Sequence, residues 1–138
     1  MSPTEIPQLP PQEAWAMLGQ DANAVLVDVR CPLEFDYIGH PVGAINCPWA
    51  EPPTWSPDPA FPARVLQELT ARRFDKDASV LLLCRSGKRS QAAALALRAA
   101  GFPRVYNIAE GFEGDLDAAR HRSSINGWRC RNLPWEQG

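Results

Sequence analysis

The residues best suited to chemistry lie at positions 84–89, which read CRSGKR. A cysteine is nucleophilic as its thiolate, and nearby cations or the start of a helix lower the thiol pKa and favour that form. Arg85, Lys88 and Arg89 place three cationic side chains within five residues of Cys84. Gly87 lets the backbone turn its N–H groups toward an anion. The pattern therefore predicts a nucleophilic sulfur held in an anion-binding loop.

A strand before this loop and a helix after it are expected to hold the sulfur in place. Residues 80–83 are a continuous apolar run with the length of a buried parallel strand. Residues 91–100 are rich in helix formers and end at Gly101, so that Ser90 opens the helix. Cys84 then lies at the carboxyl end of a strand, where open α/β sheets bind their ligands.

The rest of the chain alternates between helical and strand patterns. We expect helices over residues 12–19, 32–37 and 61–74, and strands over residues 24–29, 44–46 and 104–108. This alternation predicts an α/β fold with a parallel sheet and helices on both faces. A chain of 138 residues accommodates one domain, which we place over residues 1–138.

Composition and charge narrow the classes of partner. The net charge of −2 offers no electrostatic reason to expect a nucleic acid or an anionic membrane as partner. The amino terminus lacks a signal-peptide pattern, and no apolar run approaches the roughly 20 residues that a membrane span needs. A cytoplasmic protein is the expectation that follows.

The four cysteines form no C-x-x-C pair, which argues against a zinc ribbon or a disulfide framework. We expect free thiols at Cys31, Cys47, Cys84 and Cys130, with Cys84 alone reactive. Cys47 follows a short strand and is interpreted as a small buried thiol, with an approach to Cys84 as the less favoured alternative.

Other polar and aromatic residues have both a structural and a functional interpretation. Asp28 and Arg30 at the end of a strand are expected to form a structural ion pair rather than catalytic groups. Trp49 and Trp55 either cover the core or line the mouth of a pocket, and the first is favoured. His40 is interpreted as a surface or hydrogen-bonded residue, not a base.

The region after residue 109 is interpreted as structural. Its carboxylates lack the spacing of a calcium loop and have no His/Cys set beside them, so no metal is expected. Four arginines form a basic tail, interpreted as a solvated face, at Arg120, Arg122, Arg129 and Arg131. Three apolar residues are expected to pin the tail onto the core: Trp128, Leu133 and Trp135.

Four segments, in this order along the chain, resemble the single-domain rhodaneses, a family of sulfurtransferases. The segments are LVDVR at 26–30, GHPVGAINCP at 39–48, CRSGKRS at 84–90, and the ending NIAEGFEGDL at 107–116 with NGWRCRNLPW at 126–135. The resemblance implies a five-stranded parallel sheet flanked by helices. The chain departs from the usual family pattern at Cys31, where a glutamate is common, and at Pro41 after His40.

The resemblance also implies roles for the loop residues. Cys84 would attack thiosulfate, release sulfite and hold the transferred sulfur as a persulfide, which a thiol or cyanide would then accept. Cationic loop residues resemble those of thiosulfate-using members rather than mercaptopyruvate-using members. No cofactor or general base is required. The substrate-binding residues would be those of the loop: Arg85, Ser86, Gly87, Lys88 and Arg89.

Two alternatives remain open at this point. A Cys-based phosphatase also holds its cysteine in an anion cradle, but it needs five residues between cysteine and arginine, whereas Arg89 follows Cys84 after four. A non-enzymatic rhodanese module would bind a partner or carry persulfide sulfur without turnover. The sequence carries no signal for an oligomeric state.

Overall fold

A computed structural model describes residues 5–138 of the chain. Three α-helices lie within this range: α1 (Pro11–Gln20), α2 (Phe61–Ala71) and α3 (Lys88–Ala99). A five-residue π-helix covers Glu34–Ile38. The strands are β1 (Gln8–Leu9), β2 (Ala24–Asp28), β3 (His40–Pro41), β4 (Ile45–Asn46), β5 (Ser79–Leu83), β6 (Val105–Ile108) and β7 (Trp135–Glu136).

Five of the strands form one parallel sheet in the order β1-β6-β5-β2-β4. β5 lies at its centre and ends opposite β2, with Leu83 paired to Asp28. This arrangement confirms the predicted α/β fold with a five-stranded parallel sheet. β3 and β7 pair separately as a small antiparallel sheet, which the sequence did not predict.

Helices cover both faces of the parallel sheet, as predicted. α1 supplies the buried Ala14 to one face, where Trp128 and Phe112 also pack. α2 and α3 cover the other face, with Val65 and Leu97 among the side chains that fill its core. All five residues of β5 are buried because it is covered on both faces and flanked by neighbouring strands.

Three helix predictions differ from the structure. The helix expected over residues 32–37 is a π-helix that covers Glu34–Ile38. α3 begins at Lys88 rather than at Ser90, because Gly87 adopts a left-handed conformation with φ of 108° and serves as the N-terminal cap. α2 ends at Ala71 rather than at residue 74, because Arg73 has a positive φ of 67° that a helix cannot continue. None of the helices within residues 5–138 is long and apolar enough to cross a membrane.

Asp28 and Arg30 form a fully buried ion pair at the end of β2, which confirms the structural interpretation. Arg30 Nη2 lies 2.6 Å from Asp28 Oδ2, and both side chains have no exposed surface. The same nitrogen donates to Gly39 O at 2.6 Å. The guanidinium also lies 4.6 Å from the centre of the Phe112 ring. The pair therefore joins a strand end, a loop and the tail near the carboxyl edge of the sheet.

Candidate active site

Cys84 follows the central strand β5 directly and is 1% exposed. Its sulfur accepts a hydrogen bond from the Gly87 N–H at 3.1 Å. Because α3 begins at the next residue, Lys88, the sulfur faces the amino-terminal end of that helix. Unpaired N–H groups and the helix dipole both favour an anion at this position.

The tail of the chain holds the loop from its other side. Cys84 O accepts from the Phe112 N–H at 2.8 Å, and Arg85 O accepts from Glu113 N–H at 3.0 Å. Gly111 has a φ of 66°, and a Cβ there would lie 2.5 Å from the Arg85 carbonyl. Only glycine therefore allows the tail to approach the loop this closely.

The predicted loop side chains do not share one environment. Arg85 and Lys88 are exposed, and Ser86 and Gly87 are partly buried. Neither of these two exposed cations forms an ion pair with a carboxylate among the described residues. Both can therefore turn toward an approaching anion without breaking an existing ion pair. The Arg89 side chain is partly buried and forms an ion pair with a residue outside the loop.

Arg89 forms a two-pronged ion pair with Glu34 of the π-helix, a partner that the sequence analysis missed. Nη1 donates to Oε1 at 2.8 Å and Nη2 donates to Oε2 at 2.9 Å. Burial alone would raise the pKa of Glu34, but hydrogen bonds and the positive charge of Arg89 outweigh burial and lower it to about 2. Burial disfavours the charged form of Arg89, whereas the hydrogen bonds and the negative charge of Glu34 favour it. The effect of Glu34 is the larger, so the pKa of Arg89 is raised. Arg89 also lies 5.1 Å from the ring centre of Trp55.

A polar network behind the sulfur was also missed. Ser90 Oγ lies 3.2 Å from Cys84 Sγ and 2.5 Å from Asn107 Oδ1. Asn107 Nδ2 donates to Gln8 Oε1 at 2.8 Å and to Gly87 O at 3.1 Å. Ser90 and Asn107 are 0% and 3% exposed. The contact between Ser90 and Cys84 could have been predicted, because Ser90 stands in the first turn of the predicted helix. The contact between Ser90 and Asn107 could not, because nothing in the local sequence of β6 indicates it.

A cavity of about 510 Å³ opens beside the loop, and we call it the Trp55 cavity. Its lining joins the loop, the π-helix region, the proline-rich segment and the tail: Cys31, Leu33, Glu34, Tyr37, Ile38, Pro52, Trp55, Arg85, Glu113 and Arg122. A second cavity of about 500 Å³ lies behind the loop, against Ser86, Lys88 and Asn107. The Trp55 cavity combines apolar walls with two arginines and two carboxylates, a composition that suits an amphipathic ligand.

The four cysteines are free thiols, as predicted. Cys47 is 4% exposed, and burial raises its pKa to about 11. Burial also raises the pKa of Cys31, which lines the Trp55 cavity. Within residues 5–138, no three His, Cys, Asp or Glu side chains come close enough together to hold a metal ion.

The two tryptophans of the proline-rich segment take different roles. Trp49 packs edge-on against Phe61 at 5.2 Å between ring centres, which confirms that it covers the core. Trp55 is 48% exposed and lines the cavity named after it, so the core interpretation was wrong for this residue. His40 is buried and donates from Nδ1 to Phe35 O at 2.9 Å, which confirms that it is a hydrogen-bonded residue.

The basic tail is more ordered than a solvated face. Arg122 donates to Gly114 O at 2.6 Å, and Arg131 pairs with Glu110 at 3.1 Å. Arg129 donates to Ile38 O at 3.1 Å. Arg122 and Arg129 are partly buried, so the solvated-face interpretation was wrong for these two, whereas Arg120 and Arg131 are exposed as predicted. Trp128 confirms the predicted anchor, since it is 0% exposed, whereas Trp135 is 39% exposed and is tied to the core by its edge contact with Phe112, at 6.0 Å between ring centres.

Comparisons with known proteins agree with this architecture. A family model described as the rhodanese-like domain matches residues 10–118. The thiosulfate sulfurtransferase GlpE of Glaesserella parasuis serovar 5 is 33% identical over 107 residues, which are 78% of this chain and 83% of that protein. GlpE of Pseudomonas syringae pv. syringae is 32% identical over 112 residues, which are 80% of this chain and 87% of that protein.

A solved structure extends the comparison to almost the whole chain. The crystal structure of Rv0390 from M. tuberculosis is 38% identical, with a TM-score of 0.80, and the match covers 95% of this chain and 97% of that one. The family model spans the sheet from α1 through β6 together with the Cys84 loop. The chain therefore belongs to the rhodanese-like domain family.

Proposed function

We propose that this protein is a thiosulfate sulfurtransferase that carries sulfane sulfur as a persulfide on Cys84. The observation that carries the proposal is the position of the Cys84 sulfur, which faces the start of α3 and accepts the Gly87 N–H at 3.1 Å. Such an environment stabilises a sulfur anion without a separate base. The similarity to two thiosulfate sulfurtransferases supports the same donor.

In the first half-reaction, the Cys84 thiolate attacks the outer sulfur of thiosulfate. A new S–S bond forms to that sulfur, the S–S bond of thiosulfate breaks, and sulfite leaves with the bonding electron pair. Arg85 and Lys88 are the exposed cations of the loop and would attract the dianionic donor. Arg89 contributes less to donor binding than the sequence suggested, because Glu34 already neutralises it.

In the second half-reaction, an acceptor thiolate attacks the outer sulfur of the persulfide. The acceptor gains that sulfur, and Cys84 leaves as a thiolate that the Gly87 N–H stabilises. Cyanide would accept the sulfur in the same way. The Trp55 cavity, of about 510 Å³, supports an organic thiol as the acceptor because it is much larger than cyanide needs.

The domain organisation and the location of the protein are part of the same proposal. The family match over residues 10–118 supports the interpretation of residues 1–138 as one rhodanese domain. A cytoplasmic location stays a prediction from the sequence. A phosphatase is disfavoured because the loop before α3 is only three residues long, from Arg85 to Gly87, which leaves little backbone to surround a phosphate.

The test is sulfur loading of the purified protein. Thiosulfate treatment should release sulfite and add roughly 32 Da, the mass of one sulfur atom, to Cys84 in intact-mass and peptide analysis. Cys84→Ser should show neither result. Cys130→Ser is the matched control because Cys130 is partly exposed and lies outside the loop, and it should load normally.

Turnover then separates the alternatives. Continuous sulfite release in the presence of a thiol supports a ping-pong sulfurtransferase. Loading without turnover by any thiol or by cyanide would instead support a non-enzymatic sulfur carrier. A wild-type protein that neither loads sulfur nor releases sulfite would overturn the proposal, and hydrolysis of an aryl phosphate lost in Cys84→Ser would support the phosphatase.

A further inference from the structure

The orientation of the Asn107 side chain is determined by its hydrogen-bond partners. Its Nδ2 group faces two acceptors, Gln8 Oε1 at 2.8 Å and the carbonyl of Gly87 at 3.1 Å. Gln8 is oriented in turn, since its Nε2 donates to Ile6 O at 3.0 Å and to Gln91 Oε1 at 2.6 Å. The Asn107 amide nitrogen must therefore point toward Gln8 and Gly87, and its oxygen toward Ser90.

Ser90 consequently has one proton and two neighbours that can accept it. A hydroxyl donates one hydrogen bond, and Asn107 Oδ1 at 2.5 Å can only accept. The Ser90 proton therefore points to Asn107, and the oxygen lone pairs face the Cys84 sulfur at 3.2 Å. In the neutral state, the Cys84 thiol donates its proton to Ser90 Oγ, which satisfies all three groups.

Ionisation of Cys84 disturbs this arrangement. When the thiol proton leaves to solvent, the sulfur anion faces the lone pairs of Ser90 unless the hydroxyl rotates toward it. Rotation leaves Asn107 Oδ1 without a donor in a site where Asn107 is 3% exposed and Ser90 is 0% exposed. A buried acceptor without a partner is unfavourable. The amide and the sulfur anion thus compete for one proton.

We propose that Asn107 is a positioning residue that holds the Ser90 hydroxyl away from the Cys84 sulfur and thereby opposes ionisation of the thiol. The inference rests on the proposed role of Cys84 as the nucleophile, but it requires no sulfur donor. It also gives strand β1 a part in the reaction, because Gln8 fixes the amide that orients Ser90.

The first test is the pH profile of Cys84 alkylation by iodoacetamide in Asn107→Leu, with the site followed by peptide mass spectrometry. Leucine has a similar volume and no acceptor, so the Ser90 hydroxyl becomes free to donate to the sulfur. The midpoint should move to lower pH by roughly one unit, which is about tenfold faster alkylation well below the midpoint. Asn107→Val, which suits a strand, gives the same prediction if the leucine variant does not fold.

Two further variants separate this role from a loss of structure. Asn107→Asp keeps an acceptor for Ser90 and should not move the midpoint to lower pH. Ser90→Ala removes the hydroxyl that Asn107→Leu would release. The pH profile of Cys84 alkylation in the double variant should therefore equal that of Ser90→Ala alone. Asn107→Leu and Ser90→Ala leave every charged or titratable group of the loop and of the elements packed around it in place, whereas Asn107→Asp adds a carboxylate whose charge also opposes a shift to lower pH. The retained groups are Arg85, Lys88, Arg89, Asp28, Arg30, Cys31, Glu34, Cys47, Glu110 and Glu113.

Three results would overturn the inference. The first is a midpoint in Asn107→Leu that is unchanged or higher, as a merely loosened loop would give. The second is a shift to lower pH in Asn107→Asp as well. The third is a leucine effect that persists in the Ser90→Ala background. Failure of the protein to release sulfite from thiosulfate would contradict the proposed function but would leave these alkylation results interpretable.

Discussion

The ion pair between Glu34 and Arg89 should stabilise the fold as well as the loop. We expect Glu34→Gln to lower the free energy of unfolding at neutral pH by about 3 kcal/mol. The pKa of Glu34 falls from its ordinary value of 4.5 to about 2, and a shift of this size corresponds to about 3 kcal/mol. The two side chains are 16% and 18% exposed, so removal of the carboxylate leaves a largely desolvated guanidinium.

Urea denaturation at two pH values tests this prediction. At a slope of about 2 kcal/mol per molar urea, the loss would move the midpoint by about 1.5 M at neutral pH. Because the pKa of Glu34 is lower in the folded state, its stabilisation is complete above pH 4.5 and disappears as the pH falls toward 2. The difference between wild type and Glu34→Gln should therefore shrink across that range.

The chain offers a matched control in a second Arg–Glu pair. The side chains of Glu68 on α2 and of Arg72, which caps the end of α2, are 44% and 46% exposed and lie one helical turn apart. Exposed pairs of this kind contribute about 0.3 to 0.5 kcal/mol, so Glu68→Gln should change the midpoint little. Equal effects of the two substitutions, or a Glu34→Gln effect that does not depend on pH, would refute the reasoning.

Two other predictions concern the loop and the thiols. At mildly acidic pH, Cys84 should be alkylated fastest of the four cysteines and Cys47 slowest, since burial raises the Cys47 pKa to about 11; equal rates in peptide mass spectrometry would contradict this. Gly111→Ala should destabilise the protein by about 2 kcal/mol or more and abolish sulfur loading, because its Cβ would collide with the Arg85 carbonyl. Gly19→Ala, with no atom within 4 Å of its Cβ, should be neutral or slightly stabilising when the two variants are compared by thermal unfolding.

Local sequence patterns predicted most of the sheet and the position of the sulfur. The apolar run that ends at Cys84 corresponds to β5, and the adjacent strand with its Asp28–Arg30 pair also agrees with the structure. These features depend on neighbours in the chain, where strand length, apolarity and helix propensity act. β1 and β7 are two residues long and form only because a longer strand or a partner segment is present.

Long-range polar contacts could not be predicted in this way. Glu34 and Arg89 are separated by 55 positions, and Ser90 and Asn107 by 17. No periodicity relates such residues, since the fold alone brings them together. The start of α3 was misplaced for a related reason: Lys88 and the residues after it are polar, and the left-handed conformation of Gly87 that caps the helix has no signal beyond the glycine itself.

The attachment of the loop to the tail has a consequence for synthesis of the protein on the ribosome. The carbonyl of Cys84 accepts a hydrogen bond from the N–H of Phe112, and the carbonyl of Phe112 in turn accepts one from the N–H of Arg129. A nascent chain that has already exposed Cys84 therefore lacks the segments that hold its loop. The loop that surrounds Cys84 should therefore reach its final geometry only after the tail has emerged and folded back, so that growing chains carry an unformed site.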